Sequence, residues 1–246
     1  MAEIKADTLK TALIPARILH TECLFVASET QLEIRVDDPA NIASAQIILN
    51  EGAFESFRSS GYEIGVDISK LQKILKLVDN ESVLKLELDL EEWILRVEAE
   101  GQDYKLGLVR RELLDDEIPD IDVNYTTKVI IPGDEFVQAV TAADQFSEEI
   151  TFYIREDERA LVIRGKGDID MTKRKIGEDS LEEIEVGPAH NTYGLNYLGG
   201  LTDAIEDDVS VHMRMATSER PLELKFTFAK GHGEVEFNIA PRLRGR

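Results

Sequence analysis

The sequence is short of the residues on which most catalytic centres and secreted scaffolds are built. Its 246 residues include one cysteine, Cys23, so an intramolecular disulfide and a cysteine-rich metal centre are both excluded, which fits a reducing compartment. The histidines, His20, His190, His212 and His232, stand at no metal-ligand spacing with one another or with Cys23. Gly199-Gly200 lacks the Lys and the Ser or Thr that a phosphate-cradling loop needs. The clusters Asp115-Asp116-Glu117 and Glu206-Asp207-Asp208 read as solvated loops rather than Mg²⁺ sites. Cys23 opens an alternating run, the place of a small buried residue rather than a nucleophile. No catalytic residue, metal ligand or cofactor is therefore expected, and an enzyme is not. No apolar run approaches the roughly 18 residues of a membrane span. The opening MAEIKADTLK carries charges at positions 3, 5 and 7, so neither a signal peptide nor a bilayer anchor is expected there. Positive charge is also scarce, with 28 Lys and Arg against 49 Asp and Glu, a net charge of −21. Such a surface repels nucleic acid and anionic lipid on average, so any contact with DNA requires a segregated basic stripe.

What the sequence does have is core material and rhythm. Hydrophobic residues make up 43% of the chain and prolines number only 7, enough for one or two folded domains. Apolar and polar residues alternate at Leu32 to Val36, Val83 to Leu88, Trp93 to Val97, Thr151 to Ile154, Leu161 to Arg164, Val209 to Met215 and Leu222 to Phe228. This is the period of half-buried strands, and antiparallel sheet is expected to dominate. Helical spacing appears at Thr8 to Leu19, Ile68 to Val78, Asp134 to Phe146 and Leu195 to Ile205. In the second of these, Ile68, Leu71, Ile74, Leu75 and Val78 share one face and Lys70, Lys73 and Lys76 the other. Pro15 removes a backbone donor and is expected to kink or interrupt the first helix.

The order of elements repeats. Ile64-Gly65-Val66-Asp67-Ile68 resembles Tyr193-Gly194-Leu195-Asn196-Tyr197 at an offset of 129, and at that offset Leu95-Arg96-Val97 falls on Leu224-Lys225-Phe226 and Leu32 and Ile34 on Leu161 and Ile163. A duplicated unit of strands and two helices follows, giving domains at 1–111 and 128–246. Between them the acidic stretch Glu112 to Thr127, with Pro119, reads as an extended connector. It is either a plain surface linker or a segment whose Ile118 and Pro119 help to form a groove.

Four segments in order then carry a resemblance over nearly the whole chain: Val36-Asp37-Asp38-Pro39-Ala40-Asn41-Ile42, Ala53-Phe54-Glu55-Ser56-Phe57, Ile64-Gly65-Val66-Asp67 before a Leu-rich helix, and Ile239-Ala240-Pro241-Arg242-Leu243. Together with the duplicated halves and the Ile-Pro connector, they resemble the archaeal sliding clamps of the proliferating cell nuclear antigen family. The resemblance implies an α+β clamp fold of two like domains, each with antiparallel sheets outside and two helices inside, and three subunits closing head to tail into a ring around duplex DNA. It implies a non-enzymatic processivity factor of the cytoplasm and nucleoid, opened by a clamp loader, that tethers DNA polymerase, flap endonuclease and DNA ligase through short peptides. An acidic exterior coexists with a basic channel in such a ring, because encirclement rather than affinity holds it on DNA.

Matched position by position, the channel cations are Lys10, Arg17, Lys73 and Lys76, with Lys70 on the same helix; on a bare reading they are solvating lysines. The second half departs from the pattern, with Gln138, Thr141, Asn196 and Asp203 where basic residues are frequent in the family. The peptide pocket matches Ile118, Pro119, Pro221, Ala240 and Pro241, while Asp37, Asp116 and Asn238 are polar where many clamps are apolar or aromatic. Such an acidic rim suits a peptide with Lys or Arg beside its apolar anchor. Subunit edges are implied at Asp103 to Val109 (Tyr104, Lys105, Leu106, Leu108, followed by Arg110 and Arg111) and at Asp170 to Ile176 (Met171, Lys173, Arg174, Lys175). Asp144, Glu148 and Glu149 near the second edge make ion pairs between subunits plausible, whereas lysines on an edge also serve simply to prevent aggregation. Two other readings stand beside the homotrimer: a subunit of a heterotrimeric or checkpoint-type clamp, and an acidic β-rich scaffold or nucleic-acid mimic.

Overall fold

The computed structural model describes residues 1–114, 123–217 and 220–242. Ile118, Pro119, Asp116 and Leu243 lie outside them. The chain divides into two units, Met1–Ile118 with Thr227–Val235, and Pro119–Phe226 with Glu236–Arg246.

The first unit runs β1 (Ala2–Lys5), α1 (Ala6–Leu19), β2 (Glu22–Ala27), β3 (Gln31–Asp37), β4 (Ala43–Asn50), β5 (Ser56–Phe57), β6 (Tyr62–Asp67), α2 (Ile68–Leu75), β7 (Val83–Asp89), β8 (Ile94–Ala99) and β9 (Gln102–Gly107). The second runs β10 (Thr127–Pro132), α3 (Gly133–Asp144), β11 (Glu149–Arg155), β12 (Ala160–Lys166), β13 (Met171–Gly177), β14 (Glu183–Glu185), β15 (His190–Gly194), α4 (Leu195–Leu201) and β16 (Ser210–Met215), then β17 (Leu222–Phe228) and β18 (Gly233–Ile239), whose hairpin tip belongs to the first unit.

The duplication is topological. In the first unit strands follow the order β5-β1-β7-β8-β9 and β4-β3-β2-β6; in the second, β14-β10-β16-β17-β18 and β13-β12-β11-β15. Each strand has its counterpart, and the strands pair antiparallel within both. Alternation supplies the core: β4 buries Ala43, Ala45, Ile47 and Leu49, and β18 buries Val235, Phe237 and Ile239. In the second unit Phe136 of α3 stacks on Phe152 of β11 at 6.4 Å, and Phe152 meets Tyr193 of β15 at 5.9 Å.

The helices are amphipathic, as the spacing requires. Ile68, Leu71, Ile74 and Leu75 of α2 are buried, each contributing about 1.5–3 kcal/mol. Asp67 caps this helix, its Oδ1 accepting from the Lys70 N–H at 3.1 Å. The helix ends at Leu75, short of Val78, in tighter turns through the Leu77 and Val78 N–H groups. Likewise α4 stops at Leu201 and continues as a short 3-10 turn, Thr202–Ala204. Pro15 does not interrupt α1, which is continuous from Ala6 to Leu19. The donor it removes is offset by a buried face of Leu9, Ala12, Leu13, Ala16 and Leu19 that holds the helix on the sheet.

One backbone crossing recurs in both units and positions later features. Gly65 of β6 accepts from the Val109 N–H at 2.8 Å, and a Cβ at Gly65 would lie 2.6 Å from the Val109 carbonyl oxygen. Its counterpart in β15, Gly194, lies where the segment after β18 passes, the Arg242 N–H donating to the Thr192 carbonyl at 2.7 Å. Glycine is required at Gly65 because a neighbouring backbone occupies the space of a side chain.

Candidate functional site

Three groups of residues are the candidates for function, and their described members lie on defined elements. The first is the polar face of α1 and α2. Lys10, Arg17 and Lys76 line one hollow of about 180 Å³ together with Leu13, Ile14, Gln72 and Leu75. Their roles differ. Lys10 donates to the Val78 carbonyl at 2.8 Å and to Asn80 Oδ1 at 2.6 Å, so it fastens α1 to the turn after α2. Lys70 folds back on Asp67 at 2.9 Å; this contact raises the lysine pKa and, against the burial that opposes it, lowers that of Asp67. Lys73 and Lys76 are exposed, and make no ion pair among the described residues. On the equivalent helices of the second unit the exposed positions include Asp134, Gln138, Thr141, Asp144, Asn196 and Asp203, with no Lys or Arg in either helix.

The second group is the pair of sheet edges. β9 ends one sheet and β13 another, so each leaves one side of its backbone without a strand partner among the described residues. On β9 Tyr104 and Leu106 are half-buried and Lys105 exposed; Leu108 is half-buried and Arg110 exposed beyond it. Arg111 pairs with Glu63 within the chain. On β13 Lys173 is exposed, whereas Arg174 reaches Glu135 of α3 at 2.5 Å and Lys175 pairs with Glu158. Asp144 and Glu148 are exposed at and beyond the end of α3, and Glu149 faces Arg242 at 3.4 Å. The sequence reading named Met171, 60% exposed, but missed the apolar neighbours that join it beside this edge, Phe146 and Ile169, which are 52% and 94% exposed. The signal was three large apolar residues around a Gly-Asp turn, which alternation alone does not separate from core.

The third group is dispersed along the sequence. Asp37, at the end of β3, faces a hollow of about 110 Å³ lined also by His20, Glu22, Arg35, Pro39 and Leu114. In the second unit Pro221 precedes β17, and Asn238, Ala240 and Pro241 lie at the end of β18, all half-buried. Asn238 donates to Glu236 at 3.2 Å. Beneath them runs a charged network that the sequence reading also missed: Arg214 to Glu223 at 3.1 Å and Lys225 to Glu236 at 2.7 Å. Burial pushes the Glu223 carboxyl up despite both cations. For Glu236 burial acts the same way, but bonds from Lys225 and Asn238 outweigh it and hold the carboxyl down.

Elsewhere the first unit holds an apolar cavity of about 460 Å³ between β2, β6 and β7, lined by Phe25, Leu32, Phe57, Ile64, Leu86 and Leu95. Cys23 is buried and its thiol is pushed up by that burial, which leaves it protonated and unreactive. Among the described residues no group of His, Cys, Asp and Glu could hold a metal ion, and no helix is long and apolar enough to cross a membrane.

Two repeated units of paired antiparallel sheets, each carrying two short helices, define the DNA-clamp class of fold. Residues 2–110 match the family described as proliferating cell nuclear antigen, N-terminal domain. The chain is 33% identical to a DNA polymerase sliding clamp of Haloarcula marismortui, over 99% of this chain and 98% of that one. It is 30% identical to the DNA polymerase sliding clamp of Methanothrix thermoacetophila, with 98% of each covered. It also superposes on the structure of A. fulgidus PCNA bound to the C-terminal region of FEN-1 with a TM-score of 0.91, at 25% identity, covering 100% of this chain and 99% of that one. The chain belongs to the DNA polymerase sliding clamp family, a non-enzymatic class acting in DNA replication.

Proposed function

We propose that this chain closes head to tail with two further copies into a homotrimeric ring around duplex DNA. The observation that carries the reading is the pair of edges: β9 and β13 lie one in each unit, each at the end of its sheet, and β13 is flanked by exposed Phe146, Ile169 and Met171. Pairing β9 of one copy with β13 of the next continues both sheets, and covers apolar surface that a monomer leaves in water. Because Arg174 and Lys175 already have partners in their own chain, the contact between copies rests on backbone pairing and on Leu106, Leu108 and Met171, with Arg110 of one copy adding ion pairs to Asp144 and Glu148 of the next.

The domains run 1–111 and 128–246, joined by the connector at 112–127. In the ring α1 and α2 face the DNA, and Arg17, Lys73 and Lys76 give loose phosphate contacts that read no base and so permit sliding. Lys10 and Lys70 support that face. Partner proteins dock a short peptide against the connector, through Ile118 and Pro119, and against Asp37, Pro221, Asn238, Ala240 and Pro241. Supporting a peptide partner, the C-terminal region of FEN-1 is bound to A. fulgidus PCNA in its solved structure. DNA polymerase, flap endonuclease and DNA ligase are the partners proposed here, with a clamp loader that opens the ring at the nucleoid.

Light scattering after gel filtration tests the assembly. A species near 83 kDa, three times 27.7 kDa, supports the homotrimer, and Met171→Asp or Leu106→Asp is expected to reduce it to 27.7 kDa. A strict monomer at every salt concentration overturns the homotrimer and points to a heteromeric ring.

A further inference from the structure

An unbroken series of contacts crosses the second unit from the connector to β18. Tyr125, within the connector, lies with its ring centroid 5.3 Å from the Arg214 guanidinium carbon. On β16, Arg214 grips Glu223 of β17 with Nε at 3.1 Å and Nη1 at 3.5 Å, the two residues standing directly opposite in the strand register. Glu223 also faces Lys225 at 3.8 Å; Lys225 reaches Glu236 of β18 at 2.7 Å, and Asn238 donates to Glu236 at 3.2 Å. Only 7% of Glu223 is exposed. Two cations and two carboxylates leave the group neutral, so it has no net charge with which to attract a ligand from a distance. What it controls is geometry.

We infer that, on the reading of the connector and β18 as parts of a partner-peptide site, Arg214 and Glu223 are positioning residues that hold Tyr125, at the C-terminal end of the connector, and β18 in the binding arrangement before a peptide arrives. A nearly buried carboxylate between two cations is costly to disturb from one side, because its loss leaves unbalanced positive charge. Arg214 stacked on Tyr125 then loses its orienting partner, and the connector end loses its hold on the sheet. Ordering that end becomes part of the cost of binding the peptide, so affinity falls although neither residue touches it.

The probe is a fluorescent synthetic peptide copying the C-terminal region of a flap endonuclease, followed by anisotropy. Glu223→Gln and Arg214→Met are each expected to weaken binding about tenfold, with the mass by light scattering unchanged. Tyr125→Leu added to Arg214→Met is expected to cost little more, since both break the same stack. The groups facing Glu223 are Arg214 from β16, Lys225 from its own strand, Glu236 from β18 and Tyr125 from the connector; His212 stands across from Lys225. As pH falls Glu223 takes up a proton sooner than an ordinary carboxylate, and wild-type affinity is expected to fall with it, in a His212→Gln background as well. The Glu223→Gln variant is expected to lack this dependence, a readout that a merely structural role does not move. If Arg214→Met does not fold, the near-isosteric Glu223→Gln and the half-exposed Tyr125→Leu carry the test. Equal affinity and an unaltered pH profile in the variants overturn the positioning role. A wild type that ignores the peptide, while Glu223→Gln ignores it equally, overturns the partner site itself.

Discussion

Glu33 sits in the middle of β3 with only 6% of its surface exposed. Burial alone would push its carboxyl up, but hydrogen bonds from Arg35, at 2.5 and 2.8 Å, and from Gln46 outweigh it, and the net displacement is downward. Because the folded pKa is depressed, the stabilisation is present above the unfolded glutamate value of about 4.3 and is lost as pH falls through the folded value. Glu33→Gln is expected to cost about 1–3 kcal/mol at neutral pH, with the gap from wild type narrowing under acid; urea melts at a series of pH values check both. The alternation Leu32-Glu33-Ile34-Arg35-Val36 made the strand legible and put Glu33 on its outer side. Its burial comes from β4, where Gln46 pairs with Arg35 in register, a non-local partner that period-two reading does not contain. Lys10 teaches the same lesson at a proposed site residue. Its place on the polar side of a helix was readable, but its bonds to Val78 and Asn80, 68 and 70 residues away, were not. Lys10→Met is accordingly expected to lower the melting temperature by a few degrees, the scale of about 1 kcal/mol in a domain this size. Scanning calorimetry reads it.

At the scale of elements, periodicity located the four helices and the principal strands because each buries one face, and that face repeats at 3.6 or 2 residues. Boundaries were less legible. The first helix passes through Pro15, since packing of its buried side outweighs one lost donor. The second stops before Val78, which is buried all the same as the chain turns away in tighter hydrogen bonds. The repeat at an offset of 129 was visible in Gly65 and Gly194, but not the reason for the first, which is the Val109 backbone lying against it. Gly65→Ala forces a Cβ to within 2.6 Å of a backbone oxygen, a neighbour that cannot rotate aside. We expect a loss of about 1–3 kcal/mol, the range of steric strain in a packed interior, and displacement of the segment from Leu108 to Arg111. Denaturant unfolding measures the first, and hydrogen exchange at the Val109 amide the second. A stability equal to wild type would contradict the close approach.

For the whole molecule, the net charge of −21 sets the terms on which DNA is approached. A clamp held by topology has no need of net attraction, but its inner face must not repel the duplex. In the proposed ring the first unit gives that face α1 and α2, where Lys10 and Lys70 are engaged within the chain while Lys73 and Lys76 stand exposed. The second unit contributes Asp134, Asp144 and Asp203 and no cation from α3 or α4. The proposed channel is thus positive in one half of each subunit only, and DNA in the ring is expected to lie against the first-unit helices. This lopsidedness makes the few exposed lysines decisive. Reversing two charges per subunit changes a trimer by twelve charge units on a surface that has little positive charge to spare, and both sites lie on the exposed side of a helix whose core face is untouched. Lys73→Glu with Lys76→Glu is expected to abolish retention of the ring on nicked circular DNA at low salt, leaving the mass in light scattering and the melting temperature unchanged. Lys10→Met, whose positive charge is committed to the fold, is expected to reduce retention far less than it reduces stability. Installing lysine at Gln138 and Thr141 is expected to restore retention in the reversed variant by supplying cations from α3. Undiminished retention after the double reversal would place the DNA away from α2.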